Sequence, residues 1–330
     1  MEFKQLLQKA AETYSKNFKP IAWFGRCIFL SWYCDVGTCN FCYRSTVKDR
    51  IKHAEHAKRS LSSIAVEALL AKHLGWRIEF LTGGYRIFPI NELVEITKLV
   101  SEIYGKKIWL NLGALKPEEL GKFKPYIEGI AASIETIDKD LHDKICPNKP
   151  IEPYIEMLSN AKDLKKSITI VIGLGEKESD IEKLHDFIRQ HNLDRITFYA
   201  LKPVKGTPYT KGPETEYYVS WIAKTRIAFP KLEIIAGVTP RRVDDVDLLL
   251  KAGANAITKF PATKLFNSER AKLFEQKVRD AGREFTSTLT KLPDIDWNAE
   301  IDNLDINQNL KEEMKEKIHL YLNRMSKSKE

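Results

Sequence analysis

The sequence has no long apolar run. Its most hydrophobic stretches, such as Cys27-Ile-Phe-Leu-Ser-Trp-Tyr33, stop far short of the ~20 residues a membrane helix needs, which excludes a helical membrane protein. The N-terminus, Met-Glu-Phe-Lys-Gln-Leu-Leu, lacks the unbroken hydrophobic segment of a signal peptide and reads as an amphipathic helix, so the cytoplasm is the expected compartment. No internal repeat, low-complexity tract or linker interrupts the chain. With 16 Gly, 14 Pro and 30% charged residues among 330, neither a fibrous nor a disordered class fits. Charge of one sign is nowhere concentrated: the net +8 is spread over a chain in which Asp and Glu are interleaved, a solvated surface and not a nucleic-acid footprint. The one isolated basic stretch, Lys48 to Arg59, reads as an exposed loop and helix face. Cysteine is scarce, at five residues, and that number is odd. Three of the five fall within nine positions, which favours metal or catalytic use over disulfides.

What is present is an alternation of short apolar strands with amphipathic helices. Strands are expected at 26–32, 78–82, 107–112, 129–135, 167–173, 195–201, 232–236 and 254–260. Helices are expected at 61–74, 90–104, 153–164, 179–191, 217–229 and 243–252, where apolar residues recur at three- and four-residue spacing. Eight strand–helix units over roughly 250 residues are the pattern of a closed, TIM-type (β/α)8 barrel of the α/β class. A doubly wound open sheet is the alternative, since periodicity does not show closure. The organisation reads as an N-terminal helix over 1–18, a barrel over 19–285, and a C-terminal polar and helical extension over 286–330, with its helix at 310–325.

The informative segment is Cys34-Asp-Val-Gly-Thr-Cys39-Asn-Phe-Cys42-Tyr, directly after the first strand. Three thiolates on one loop can hold three irons of a 4Fe–4S cubane and leave the fourth open to a small molecule. Gly37 would let the loop curl around it. A structural zinc site needs four ligands, and no fourth sits at zinc-ribbon spacing. Plant-type ferredoxins share the Cys-x4-Cys-x2-Cys opening but need a later fourth cysteine; the only later one is Cys146, four strands away.

The loop resembles the radical S-adenosylmethionine (SAM) signature, whose usual spacing is Cys-x3-Cys-x2-Cys; this chain has one extra residue between Cys34 and Cys39. The resemblance extends over 26–266. It implies that Phe41 packs near the adenine and that the backbone of Gly83 and Gly84, in Leu81-Thr-Gly-Gly-Tyr85, meets the SAM amino group. It further implies that Glu135, in Ser133-Ile-Glu-Thr136, binds the amino group or ribose. Ile170-Val-Ile-Gly-Leu-Gly175-Glu176, Lys202-Pro-Val-Lys-Gly-Thr-Pro208 and Lys251-Ala-Gly-Ala-Asn255 resemble segments of biotin synthases after strands five and six and before strand eight, with Gly175 letting the rim approach the adenosine. Relatives carry an arginine for the SAM carboxylate where this chain has Tyr154; Lys144 and Lys149 are the substitutes. An auxiliary iron–sulfur cluster would have only Cys27 and Cys146 left to bind it, and its arginine after strand seven is replaced by Ala236-Gly-Val238.

The resemblance implies reductive cleavage of SAM to a 5′-deoxyadenosyl radical that takes hydrogen from an unactivated carbon. The branch includes the archaeal two-component lipoyl synthases, so the expected reaction is sulfur insertion into a protein-bound octanoyl chain. Hydrogenase-cofactor maturation and amino-acid rearrangement are the alternatives, with a non-enzymatic iron–sulfur or zinc protein as a third. Implied partners are a ferredoxin or flavodoxin as electron donor, an acylated carrier domain and a second radical SAM protein; neither nucleic acid nor a membrane is expected.

Overall fold

The structure, a computed structural model, describes residues 2–327. Eight parallel strands close on themselves: β1 (Ile21–Phe29), β2 (Arg77–Thr82), β3 (Ile108–Asn111), β4 (Ile127–Glu135), β5 (Lys165–Ile172), β6 (Arg195–Ala200), β7 (Glu233–Gly237) and β8 (Ala256–Thr258). Each pairs with the next, and β1 pairs with both β2 and β8, so the sheet is a barrel and not an open doubly wound sheet. A two-residue strand, β9 (Glu284–Phe285), runs parallel to the start of β1 outside the ring.

One expectation needs correction. The first strand starts at Ile21, five residues before the expected Arg26, and ends at Phe29. The pairings Trp23↔Ala256, Phe24↔Ile257 and Gly25↔Thr258 set its start, long-range contacts that local periodicity does not reveal. The polar stretch beyond Ala281 is tied to the barrel: the Thr286 amide donates to the Ala22 carbonyl at 2.9 Å and the Thr288 amide to that of Leu74 at 3.0 Å. The helix Gln308–Ser326 then buries Leu310, Met314, Ile318 and Met325 in the main core. That helix covers Leu61–His73, which is apolar nearly all round because it is sandwiched between the barrel wall and the C-terminal helix.

Inside the barrel, side chains stack in layers. Trp23, Ile235 and Ala256 form one layer, with Phe80, Trp109 and Ala131 above it, joined by the partly buried Cys27 and Tyr199. The Arg195 guanidinium lies 3.9 Å from the centre of the Trp109 ring and closes the lower end. That lower end faces a cavity of about 810 Å³ at the strand starts, lined by residues that include Arg77, Trp109, Arg195 and Glu233, while the residues expected to carry the chemistry lie at the strand ends. No helix is long and apolar enough to cross a membrane among the described residues.

Candidate active site

The cysteine loop leaves β1 and is folded by its own residues. Gly37 has φ +53°, a conformation that favours glycine, and an added Cβ would lie 2.2 Å from Lys48 Cδ. The Lys48 ammonium donates to the carbonyls of Asp35 (2.7 Å) and Val36 (2.9 Å), curling the segment between Cys34 and Cys39. The Asn40 amide donates to the Ile145 carbonyl at 2.9 Å, tying the loop to the segment after β4. Cys42 precedes a short helix, Tyr43–Val47, whose Arg44 donates to the Ser31 carbonyl and stacks over Phe29.

All three thiols are half-buried and free of disulfides. Burial lifts the Cys42 thiol, while a hydrogen bond with the Cys146 thiol is the main influence lowering Cys39. The Arg44 guanidinium lies near Cys34 and Cys42, and the Lys149 ammonium near Cys39. Three unbridged thiols on one loop are the donor chemistry of a cluster with one open iron, while among the described residues no three such side chains converge as a ready metal site.

The other expected residues lie at the strand ends. Gly83 and Gly84 follow β2 at φ +79° and +86°. A Cβ on Gly83 would come within 3.1 Å of the Arg44 guanidinium, and one on Gly84 within 2.8 Å of the Phe88 ring, so the glycine pair is also a packing requirement. A Gly84→Val change therefore strains this loop whatever it does to SAM. Phe41 packs with Cys39 against a small cluster that includes Cys146, Val171 and Leu174. Gly175, at φ +119°, leaves open space: a Cβ there would meet only Leu141, at 3.6 Å. The Glu176 carboxylate accepts from the amides of Gly173, Leu174 and Gly175, so its role is to shape that turn.

Glu135 ends β4 after an irregularity in which Ser133 pairs with Thr169 but Glu135 with Ile170, leaving Ile134 as the extra residue. Its φ of +66° is unusual for a glutamate and coincides with that irregularity. Its Oε1 accepts from Lys149 at 2.6 Å, both side chains being largely buried. Burial alone would depress the Lys149 pKa, but attraction to Glu135, with less from Tyr154, outweighs it and holds the ammonium above its ordinary range. The Lys149 ammonium also lies 5.2 Å from the centre of the Tyr154 ring. Of the two substitutes for the missing arginine, Lys149 is at the site, whereas Lys144 is exposed on the helix Lys139–Ile145.

The largest omission from the sequence reading lies within the bore. Cys27 pairs with Phe80 while Arg26 pairs with Ile78, so Glu79 is the extra residue of a bulge in β2. Bulges re-aim side chains, and here the carboxylate turns into the barrel, fully buried. Its Oε1 accepts from Thr197 (3.0 Å) and Tyr199 (2.9 Å), and its Oε2 from Cys27 (3.0 Å) and Thr258. Four donors from three strands satisfy the carboxylate. The available signal was a lone glutamate in the apolar run Ile78-Glu-Phe-Leu81. Of the two spare cysteines, Cys27 belongs to this network and Cys146 lies against Cys39, so each has an occupation of its own.

Residues 30–188 match the Radical SAM superfamily and residues 197–269 the Biotin and Thiamin Synthesis associated domain. The chain is 36% identical to an uncharacterized protein of Methanocaldococcus jannaschii, over 98% of this chain and 96% of that one. It is 27% identical to the 7,8-didemethyl-8-hydroxy-5-deazariboflavin synthase of Archaeoglobus fulgidus, over 74% and 78%. The crystal structure of methylornithine synthase superposes with a TM-score of 0.66 at 20% identity, covering 78% of this chain and 77% of that one, a likeness of fold. Two matches in tandem, one over the cysteine loop and one over the far side of the barrel, lead to one conclusion: this chain belongs to the biotin-synthase-like branch of the radical SAM superfamily.

Proposed function

We propose that this radical SAM enzyme acts on a small, free, polar molecule held in the bore of the barrel. A 4Fe–4S cluster and SAM, which the family implies, supply a 5′-deoxyadenosyl radical when bound. Cys34, Cys39 and Cys42 hold the cluster, and the Lys149–Glu135 pair matches the carboxylate and ammonium of the SAM methionine moiety. Oε1 of Glu135 engages Lys149, leaving Oε2 for the ammonium. Tyr154 stands where relatives have their arginine, and its ring backs Lys149. A ferredoxin or flavodoxin supplies the electron.

The single observation that carries the small-substrate reading is the Glu79 network. A methylene chain gains ~0.8 kcal/mol per CH2 on burial against apolar walls, but a carboxyl group ringed by three hydroxyls and a thiol offers no such wall. The deazariboflavin synthase relative, named for a small-molecule product, adds support. Sulfur insertion into an octanoyl chain draws no comparable support, because neither Cys27 nor Cys146 stands free to assemble a sulfur-donating cluster. The test is anaerobic: reduced enzyme and SAM are offered small-molecule fractions of a cell extract in deuterated form, or an octanoylated carrier domain. Deuterium carried into 5′-deoxyadenosine from a small molecule is the expected result. Sulfur gained by the carrier would instead restore the lipoyl synthase reading.

A smaller prediction concerns Glu135. Its replacement by alanine should weaken SAM binding by ~1.5–3 kcal/mol, the range for a hydrogen bond to a charged group, while iron content is unchanged. Calorimetry on cluster-loaded protein measures the affinity. Unaltered affinity would remove Glu135 from the SAM site.

A further inference from the structure

The strand-start end of the barrel, remote from the cysteine loop, carries polar groups that the radical chemistry does not use. Its cavity of about 810 Å³ is ringed by the first residues of successive strands, among them Arg77 of β2, Lys165 of β5, Arg195 of β6 and Glu233 of β7. In barrels of this kind the strand-start face ordinarily serves stability, so a charged cavity there calls for its own explanation. The lining holds five cations (Arg77, Lys106, Lys107, Lys165 and Arg195) against three carboxylates. Each carboxylate is engaged: Glu128 by Lys165, Glu233 by Arg195, and Asp194 by the Lys166 amide. Among the described residues the Lys107 ammonium reaches only the Lys124 carbonyl, at 3.2 Å, and that of Lys106 only the Tyr104 ring, 6.0 Å from its centre.

The floor of the cavity adds buried donors. Arg195 is 8% exposed and Trp109 3%, and the guanidinium lies 3.9 Å from the centre of the indole. Glu233 Oε2 takes Nε and Nη2 of Arg195, but Nη1 has no acceptor among the described residues, and neither has Nε1 of Trp109. A buried donor without an acceptor is costly, more so on a cation. Water would pair the two donors and leave the surplus of positive charge unanswered; a dianion answers both.

We propose that this cavity binds a phosphate dianion, free or carried on a small metabolite, with Arg195 and Trp109 donating from the floor and Lys106 and Lys107 from the rim. A planar guanidinium with one edge unpaired suits phosphate oxygens, and ammoniums on flexible stems suit a rim. The volume falls in the range of small-molecule sites and leaves room for more than the phosphate itself. The site lies at the opposite end of the barrel from the cysteine loop, so it does not depend on the substrate reading above. It touches the bore from beneath: Trp109 packs in one layer with Phe80 and Ala131, which Cys27 and Tyr199 join to Glu79.

The test follows the indole N–H signal of Trp109 by nuclear magnetic resonance in cluster-loaded, nitrogen-15-labelled protein without oxygen; the signal is identified by its loss in Trp109→Phe. Inorganic phosphate and ribose 5-phosphate should each move it saturably, and ribose should not. Tighter binding of the ester marks a phosphorylated metabolite, and equal binding marks free phosphate. Replacing Lys106 and Lys107 together by methionine removes two exposed ammoniums without touching the core. Affinity should then fall at least about tenfold, the size of one lost charged hydrogen bond. Methionine at both Lys205 and Lys211 makes the same change of charge in the exposed segment after β6 and should leave affinity unaltered. Arg195→Lys keeps a cation beside Glu233 but loses the free edge of the fork, so it should weaken binding by a similar factor while circular dichroism stays the same. A Trp109 signal that neither phosphate moves, that chloride moves as far, or whose titration is unchanged when Lys106 and Lys107 are replaced would overturn the site.

Discussion

Alanine at Cys34, Cys39 or Cys42, one position at a time, is expected to reduce SAM cleavage to background. Each thiolate would serve a different iron of the cubane, and an iron stripped of its only protein ligand would open to water and oxidation. The loop itself should survive, because its shape comes from the Lys48 bonds to Asp35 and Val36 and from Asn40 to Ile145, none of which uses a cysteine side chain. Circular dichroism should therefore match the wild type while iron per chain falls from about four. Cys27→Ala is the control within the same barrel. It removes one of four donors to Glu79 and should keep its iron. If Cys27→Ala loses the iron and the three loop variants retain it, the ligand assignment is wrong.

How far the sequence discloses this molecule depends on whether a feature is local. The cysteine loop, the Gly83-Gly84 turn, Glu135 and Gly175 each sit in a short motif at a strand end, and the strand ends follow from hydrophobic period; all of these reach the barrel's upper rim. The network around Glu79 is different. Its members come from β1, β2, β6 and β8, and what assembles them is barrel closure and a one-residue bulge at Glu79. Neither is visible as a pattern within a window of the chain. The start of β1 escaped because its partners lie more than two hundred residues away. Several short helices, among them Pro117–Phe123 and Lys139–Ile145, escaped because seven residues give too few turns for a period to register.

Glu67→Ala is expected to lower folding stability by ~3–5 kcal/mol, the cost of removing one partner of a buried ion pair. Glu67 lies on the helix Leu61–His73 and is 4% exposed. Its Oε2 accepts from Arg26 at 2.7 Å, and its Oε1 from Arg59 at 2.7 Å and from the Tyr321 hydroxyl at 3.1 Å. One carboxylate thus joins β1, the segment after the cysteine loop and the C-terminal helix. Arg59 also donates to the Phe29 carbonyl at 3.0 Å, so the same network fixes the end of β1, five residues before Cys34. Losing the carboxylate leaves two guanidiniums facing one another in a dry site. Replacing Arg26, Glu67 and Arg59 together by apolar residues of matched volume should recover much of the loss, because the penalty comes from the orphaned charges. The pH dependence has a definite sign. Burial alone would raise the Glu67 pKa, but Arg26 and Arg59 outweigh it and hold it below the ordinary value of 4.5. The stabilisation is therefore complete above about pH 4.5 and is lost as the pH falls through the lower folded value. Denaturant titrations of the wild type and Glu67→Ala should show a constant gap at neutral and mildly acidic pH that narrows only below that point. A gap that is small at pH 7, or that closes while the pH is still well above 4.5, would mean that the carboxylate is not what holds the exit of β1 in place.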